Sequence, residues 1–241
     1  LSDSREYRIK VMEAGGDDVL VKPLNRIELS TRVSSLINQK RLSLINQKRL
    51  NEGLDQTEQV LFTIAKAVDS RSVNRGGSVR VASLVKSFGE YLNLSSEDID
   101  NLSFAAHLHD IGTIAIPDAV MLKKGELTTE ERELIRQHVL IGEEICQPLR
   151  NRSGVLPIIR NHHERWDGTG YPDGLHGSAI PYLAQIFQVI DIYDALTSDR
   201  PHKKAYTPVE ALNIIMEETQ KGWRNPQLID EFTNFIRSQS K

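Results

Sequence analysis

The chain has 241 residues, 39% of them hydrophobic and 26% charged, with a formal net charge of −3. Such a composition supports one sizeable core, excludes disorder as the default state, and excludes a general nucleic-acid binder built on a basic face. The single cysteine, Cys146, excludes an intramolecular disulfide and fits a reducing compartment.

The segment Leu1 to Arg5 lacks the apolar run of a signal peptide. No stretch approaches the roughly 20 apolar residues that span a bilayer. The expectation is a cytoplasmic protein without a membrane segment. The chain opens on Leu1 rather than Met, as a fragment would.

Ala14 to Asp18 reads as a helix end and turn, and Val19-Leu20-Val21 as a short strand. After Lys22-Pro23-Leu24 a helix begins near Asn25, with Ile27, Leu29, Val33 and Leu36 on its apolar side. This α/β piece is too short to fold alone. Its Lys22-Pro23 pair resembles the one after the last strand of response-regulator receiver domains. The resemblance implies a phosphoryl-contacting Lys, a cis-associated Pro and a phosphoacceptor Asp upstream of Leu1, hence two-component signalling.

Residues 35–42 (SLINQKRL) then recur identically as residues 43–50. Eight residues turn a helix by about 800°, roughly 80° beyond two full turns, so the repeat is not a heptad seam. A tandem duplication lengthening a signalling helix is the simplest explanation. No Pro interrupts residues 26–72, and only Gly53 weakens the run. A long linker helix is therefore predicted, of a kind that often dimerises.

From about Gln59 the chain reads all-α, with Val60, Ile64, Ala67 and Val68 at helical spacing. A helix is predicted over Val79 to Leu92, closing at Asn93, and Ser95 to Asp98 caps the next. Thr128-Thr129-Glu130-Glu131 reads as a capping box opening the helix that holds His138. Asn225-Pro226 starts a terminal helix.

Polar groups fall on several apolar helix faces. The stripe Ile99, Leu102, Ala106 runs onto His109 and Asp110. His138 sits in a 4-3-4 series with Leu134, Ile141 and Ile145. His162 and His163 end an apolar helix and lead into Trp166 to Gly174, a tight loop with Gly168, Gly170, Pro172 and Gly174. Asp191 and Asp194 lie among Ile186, Val189, Ile190 and Tyr193. Taken singly, each has an ordinary explanation: a cap, a hydrogen-bonded core His or a surface turn. Jointly they are a metal site, because coordination offsets the cost of burying charge. Imidazole and carboxylate ligands without thiolate suit iron, manganese or zinc. His109, Asp110, His138, His162, His163 and Asp191 outnumber the four ligands of tetrahedral zinc. Either one ion is octahedral or two ions share a carboxylate, and a metal pair suits phosphoryl displacement.

Four stretches, HDIGTIAIPD (109–118), RQHVLIGEEI (136–145), HHERWDGTGYPDG (162–174) and DIYDALTSDRPHKKA (191–205), resemble the HD-GYP family, a branch of the HD phosphohydrolases. The likeness runs from about Gln59 to Phe235. It implies an all-helical bundle over 59–241, preceded by a linker helix over 35–58 and the receiver-like fragment over 1–34. It also implies hydrolysis of cyclic di-GMP to pGpG or GMP with two divalent metal ions, iron first, manganese or zinc as alternatives. In that scheme Asp110 bridges the metals, His109 and Asp191 serve the first, and His138, His162 and His163 hold the second. Tyr171 belongs to the GYP loop beside the substrate and, with Asp110, to the catalytic set. Arg200 and Lys203 contact phosphates or bases. Protein partners would approach the GYP loop, and a homodimer would form through the linker helix.

Two positions depart from the family pattern. Gly77 stands where an additional metal-ligating His is usual, and Thr113 where a phosphate-contacting Lys is usual. Binding is thereby better supported than turnover. The alternative is a weak or inactive sensor module that binds metal and nucleotide. A third reading is hydrolysis of a different phosphoester.

Overall fold

The computed structural model describes residues 9–10, 13–14, 26–71, 77–149, 152–199 and 204–239. The expected strand Val19-Leu20-Val21, the Lys22-Pro23 pair, and Arg200 and Lys203 lie outside the described residues. The chain divides into two compact units, Leu1–Asp55 and Gln56–Lys241. The described residues are helical and contain no sheet, only an isolated bridge between Asp167 and His176.

Helix α1 spans Arg26–Arg71 without a break, as the absence of Pro permits, and both copies of the repeat lie in it. In the first unit its apolar side chains Ile37, Leu42, Leu44 and Leu50 are exposed. Within the second unit Leu61, Ala65 and Val68 are buried, whereas Val60 is 58% exposed. Of the expected series Val68 is buried and Ile64 packs at the margin of the core, while Val60 and Ala67 give way to Leu61 and Ala65. Val60 and Leu61 are equally apolar, and tertiary packing chooses between them.

Helix α2 spans Gly77–Tyr91 and α3 spans Ser96–Leu108. Between them Asn93 adopts a positive φ of 55°, which closes α2 at the expected residue. Ser95 caps α3 by accepting the Asp98 N–H at 3.1 Å. A 3₁₀ turn, Ile111–Ala115, follows, then the short α4, Asp118–Met121.

Helix α5 spans Thr129–Arg136 and opens with the expected capping box between Thr128 and Glu131. It does not hold His138, contrary to expectation. The helix breaks at Gln137, and His138 is the first residue of α6, His138–Cys146. The break has a local cause. His138 Nδ1 lies 2.7 Å from the Ile135 carbonyl oxygen and takes its hydrogen bond there. The buried face of α6 is His138, Val139, Gly142 and Cys146, so Ile141 and Ile145 fall at its margin.

Helix α7 is Val155–Asn161, α8 is Tyr182–Thr197, α9 is Pro208–Gln220 and α10 is Pro226–Gln239. The core is filled by Phe88, Leu102, Leu108, Ile158, Ile159, Ile186, Phe187, Phe232 and Phe235, each at most 2% exposed. Burying each such side chain contributes about 1.5–3 kcal/mol. Phe88 of α2 meets Phe232 of α10 edge to face at 5.0 Å, which joins α2 to the last helix of the bundle. Asp194, buried on α8, is not among the clustered polar groups. It takes a bidentate contact from Arg80 of α2, at 2.8 and 3.1 Å, and so fastens α2 to α8.

Candidate metal centre

Three histidines are held by one repeated device. The Nδ1 atoms of His109, His138 and His162 lie 3.2, 2.7 and 2.8 Å from the carbonyl oxygens of Ala106, Ile135 and Ile159. In each case the carbonyl belongs to the residue three positions earlier, in the last turn of a helix. Such carbonyls lack an intrahelical N–H partner. The imidazole N–H satisfies them, and in a neutral ring the bond leaves Nε2 as the lone-pair nitrogen.

Two of those nitrogens, on His138 and His162, converge with one from His163. One ligand nitrogen from each of His138, His162 and His163 lies within 4.8 Å of the others, spacing that could hold a metal ion. His138 Nε2 and His162 Nε2 are buried and have no hydrogen-bond partner. A buried unsatisfied nitrogen costs about 1–3 kcal/mol, so two aimed at one point fit a cation. Burial, with the neighbouring histidines, pushes His163 down to about 3 and His162 well below its ordinary value. Both rings are therefore neutral near pH 7, the form that donates to a metal.

The carboxylate half lies alongside. His109 Nε2 is 3.3 Å from Asp110 Oδ2 and 3.8 Å from Asp191 Oδ1, and His138 Nε2 is 3.6 Å from Asp110 Oδ1. Asp110 thus stands between the two halves. Burial disfavours charge on His109, but Asp110 and then Asp191 outweigh it and push its pKa up to about 10. Burial raises the Asp110 carboxyl, while His109, His138 and His162 more than offset this and hold it well below the usual range. The two carboxylates create a field that favours positive charge at this point.

Two glycines permit these approaches. A Cβ on Gly112 would lie 2.0 Å from the His138 carbonyl oxygen, so the 3₁₀ turn after Asp110 can rest on α6 only without a side chain. A Cβ on Gly170 would lie 2.2 Å from the Arg165 nitrogen, so the loop folds directly back on the backbone behind His163. Buried Glu164 accepts the N–H groups of Asp173 and Leu175 at 2.7 and 3.0 Å and fixes that fold. Gln188 of α8 donates to the His162 carbonyl at 3.0 Å and to that of Glu164, while Arg224 donates to Gln188 Oε1 at 3.0 Å.

Tyr171 stacks on His163, with ring centroids 4.9 Å apart and planes 23° apart. A cavity of about 160 Å³ opens beside them, with Asp191, Thr169, Arg136, Arg165 and Arg224 among its lining residues. The structure thus gathers the six expected ligands and Tyr171. Gln188, Glu164 and the three arginines escaped the sequence reading. A polar Gln188 inside the apolar run of α8 was the available signal, as was Glu164 directly after the His pair.

At its C-terminal end, α1 is closed by Arg71, which donates to the Ile116 carbonyl at 3.2 Å and pairs with Asp118. It grips the segment that follows His109 and Asp110. No helix among the described residues is long and apolar enough to cross a membrane.

A family model described as HD domain matches residues 33–228. The cyclic di-GMP phosphodiesterase response regulator RpfG of Xanthomonas campestris pv. campestris (strain 8004) is 40% identical over 92% of this chain, and the chain spans 62% of that relative. A cyclic di-GMP phosphodiesterase of Thermotoga maritima is 34% identical over 95% of this chain and 68% of its own length. Among solved structures, an HDG"Y"P protein from Bdellovibrio bacteriovorus has a TM-score of 0.57 at 19% identity, covering 77% of this chain and 64% of its own. At that identity it shows the fold alone. The chain belongs to the HD-domain family, and cyclic di-GMP phosphodiesterases are among its relatives.

Proposed function

We propose that the chain is a metal-dependent phosphodiesterase that hydrolyses cyclic di-GMP to pGpG or GMP. The observation that carries this is the pair of buried, partnerless Nε2 atoms of His138 and His162, converging with His163 beside Asp110. His138, His162 and His163 would hold one ion, His109 and Asp191 a second, and Asp110 would bridge. Iron leads this mixed nitrogen and oxygen donor set, with manganese or zinc as alternatives. Such ions supply Lewis acidity for the phosphoryl oxygens and the attacking water. The protein's part is positioning. The carbonyl-bound imidazoles keep their lone pairs aimed inward, Gly112 seats Asp110 against α6, and Tyr171 walls the cavity that receives the ligand. Arg200 and Lys203 complete the phosphate contacts.

The test is product analysis. Manganese- or iron-loaded protein should convert cyclic di-GMP to pGpG or GMP, and Asp110→Ala should abolish the conversion. Intact cyclic di-GMP with full metal occupancy, or an active Asp110→Ala variant, would overturn the assignment.

Two observations favour the second reading, a weak or inactive sensor that binds without turnover. Gly77 offers no ligand atom. The Thr113 hydroxyl is spent on the Asp110 carbonyl at 2.7 Å. Tight nucleotide binding to the metal-loaded protein without product would select this reading.

The remaining assignments rest on this likeness together with the Lys22-Pro23 resemblance to receiver domains and the absence of an apolar membrane run. Residues 1–34 are the end of a receiver domain, 35–58 a linker helix and 59–241 the HD-GYP domain, in a cytoplasmic two-component protein. Exposed Ile37, Leu42, Leu44 and Leu50 support a homodimer through α1. The GYP loop, from Trp166 to Gly174, is the surface for protein partners.

A further inference from the structure

We propose that Arg136 is a positioning residue that grips the phosphate of the cyclic dinucleotide that is not being cleaved. The inference rests on the phosphodiesterase reading and deepens it. A cyclic dinucleotide carries two phosphodiesters on opposite sides of one macrocycle. When one lies at the imidazole cluster, the other needs a cation some way along the cavity. Three described arginines line that cavity. Arg224 is buried and committed, with bonds of 2.8 and 3.1 Å to Glu218 and 3.0 Å to Gln188. Arg165 is stacked on the Trp223 ring, at 3.8 Å, rather than on the Tyr171 ring that adjoins His163. Arg136 is different. Its side chain is 51% exposed, and its ion pair to exposed Glu133 is 3.6 Å long.

The placement of Arg136 is also defined. Its guanidinium lies 5.2 Å from the centroid of Tyr171, which in turn stacks on His163. The imidazole, the phenol ring and the guanidinium form a graded series that leads away from the metal ligands. Stacking on an aromatic ring orients the guanidinium while its N–H fork remains able to grip a phosphate. Arg136 closes α5 directly before Gln137 and His138, so the backbone that presents a ligand imidazole also presents this cation.

The experiment compares wild type with Arg136→Gln and Arg136→Lys in the full chain, loaded with manganese. Each is assayed on cyclic di-GMP and on bis(4-nitrophenyl) phosphate, which has a single phosphodiester. For Arg136→Gln the KM for cyclic di-GMP should rise about tenfold to hundredfold, the size of a lost charge-assisted phosphate contact. Its kcat should stay within about threefold, and metal content and turnover of the single diester should not change. Arg136→Lys should recover part of the KM, because it restores charge without the fork. An unchanged KM, or parallel losses on both substrates, would overturn the proposal. If wild type hydrolyses neither substrate, the phosphodiesterase reading fails separately. Calorimetric titration of metal-loaded protein with cyclic di-GMP then decides the role of Arg136. Binding weakened at least tenfold by Arg136→Gln supports it, and equal affinity or no binding in wild type overturns it.

Discussion

The two halves of the site are built differently. His138 and His162 are buried and tied to backbone carbonyls, and His163 is half-buried beside them. The other half uses carboxylates that reach the surface: the side chains of Asp110 and Asp191 are 49% and 29% exposed. A rigid imidazole cage sets geometry, while exposed carboxylates supply charge and can accept a second ion or a ligand. We therefore expect the imidazole half to hold its metal more tightly and the carboxylate half to be the one that varies with conditions.

The largest effect should come from His162→Ala, which removes a converging nitrogen and leaves the Ile159 carbonyl without its partner. Metal affinity in the imidazole half should fall more than the 10–100-fold typical of losing an outer-shell partner. Plasma emission spectrometry after dialysis would measure it. Asp191→Asn should spare that metal and lower the metal content of the other half only. Equal losses in both variants would erase the distinction between the halves.

Gly112→Ala attacks the junction between them. The added Cβ would meet the His138 carbonyl at 2.0 Å, and backbone, unlike a side-chain tip, cannot swing aside. The expected cost is about 2–4 kcal/mol, spanning the upper end of overpacking costs, with metal lost from both halves. Chemical denaturation of the metal-free variant would read the stability term alone.

These variants also show which parts were legible in advance. Ser95, Thr128 and Pro226 announce helix starts by local chemistry, and the structure places starts there. The clustering of the six candidate ligands was legible because imidazoles and carboxylates on apolar stripes demand partners. The close approach at Gly112 was not, since nothing local says which backbone it will meet. Nor was the break at Gln137, where a side chain takes the carbonyl that a continuous helix would use. The phase of α1 depended on whether Val60 or Leu61 faces the bundle, a choice made by packing. Asp194 looked like Asp191 in sequence, and only the position of Arg80 separates a structural carboxylate from a site carboxylate.

Arg71→Ala should have a smaller effect, confined to the carboxylate half. It removes the grip on the Ile116 carbonyl and on Asp118, at a cost of about 1 kcal/mol for a partly exposed cluster. For a chain of this size that lowers Tm by about 2–4 °C. The imidazole half should keep its metal. Loss of that metal in Arg71→Ala would mean that α1 acts on the whole site rather than on the segment after Asp110.

The smallest effect concerns the loop that carries Tyr171. Arg160 donates to both Asp173 oxygens at 2.7 Å and also pairs with Glu143, which anchors the loop to α6 and α7. The Arg160 hydrogen bonds hold the Asp173 carboxyl below its ordinary range. A carboxyl depressed in the folded state stabilises the fold above its unfolded value of about 3.9, and that contribution is lost as pH falls through the lower folded value. The pair is about one-third exposed, so its worth is at most about 1 kcal/mol. Asp173→Asn should therefore be slightly less stable than wild type at pH 7. The gap should begin to close below about pH 4 and vanish once pH falls below the lower folded value, where the wild-type carboxyl is neutral in both states. A gap that persists unchanged at pH 2 would show that Asp173 acts through shape rather than charge. The loop would then be anchored by Glu164 and Gly170, on the same buried side as the imidazole half.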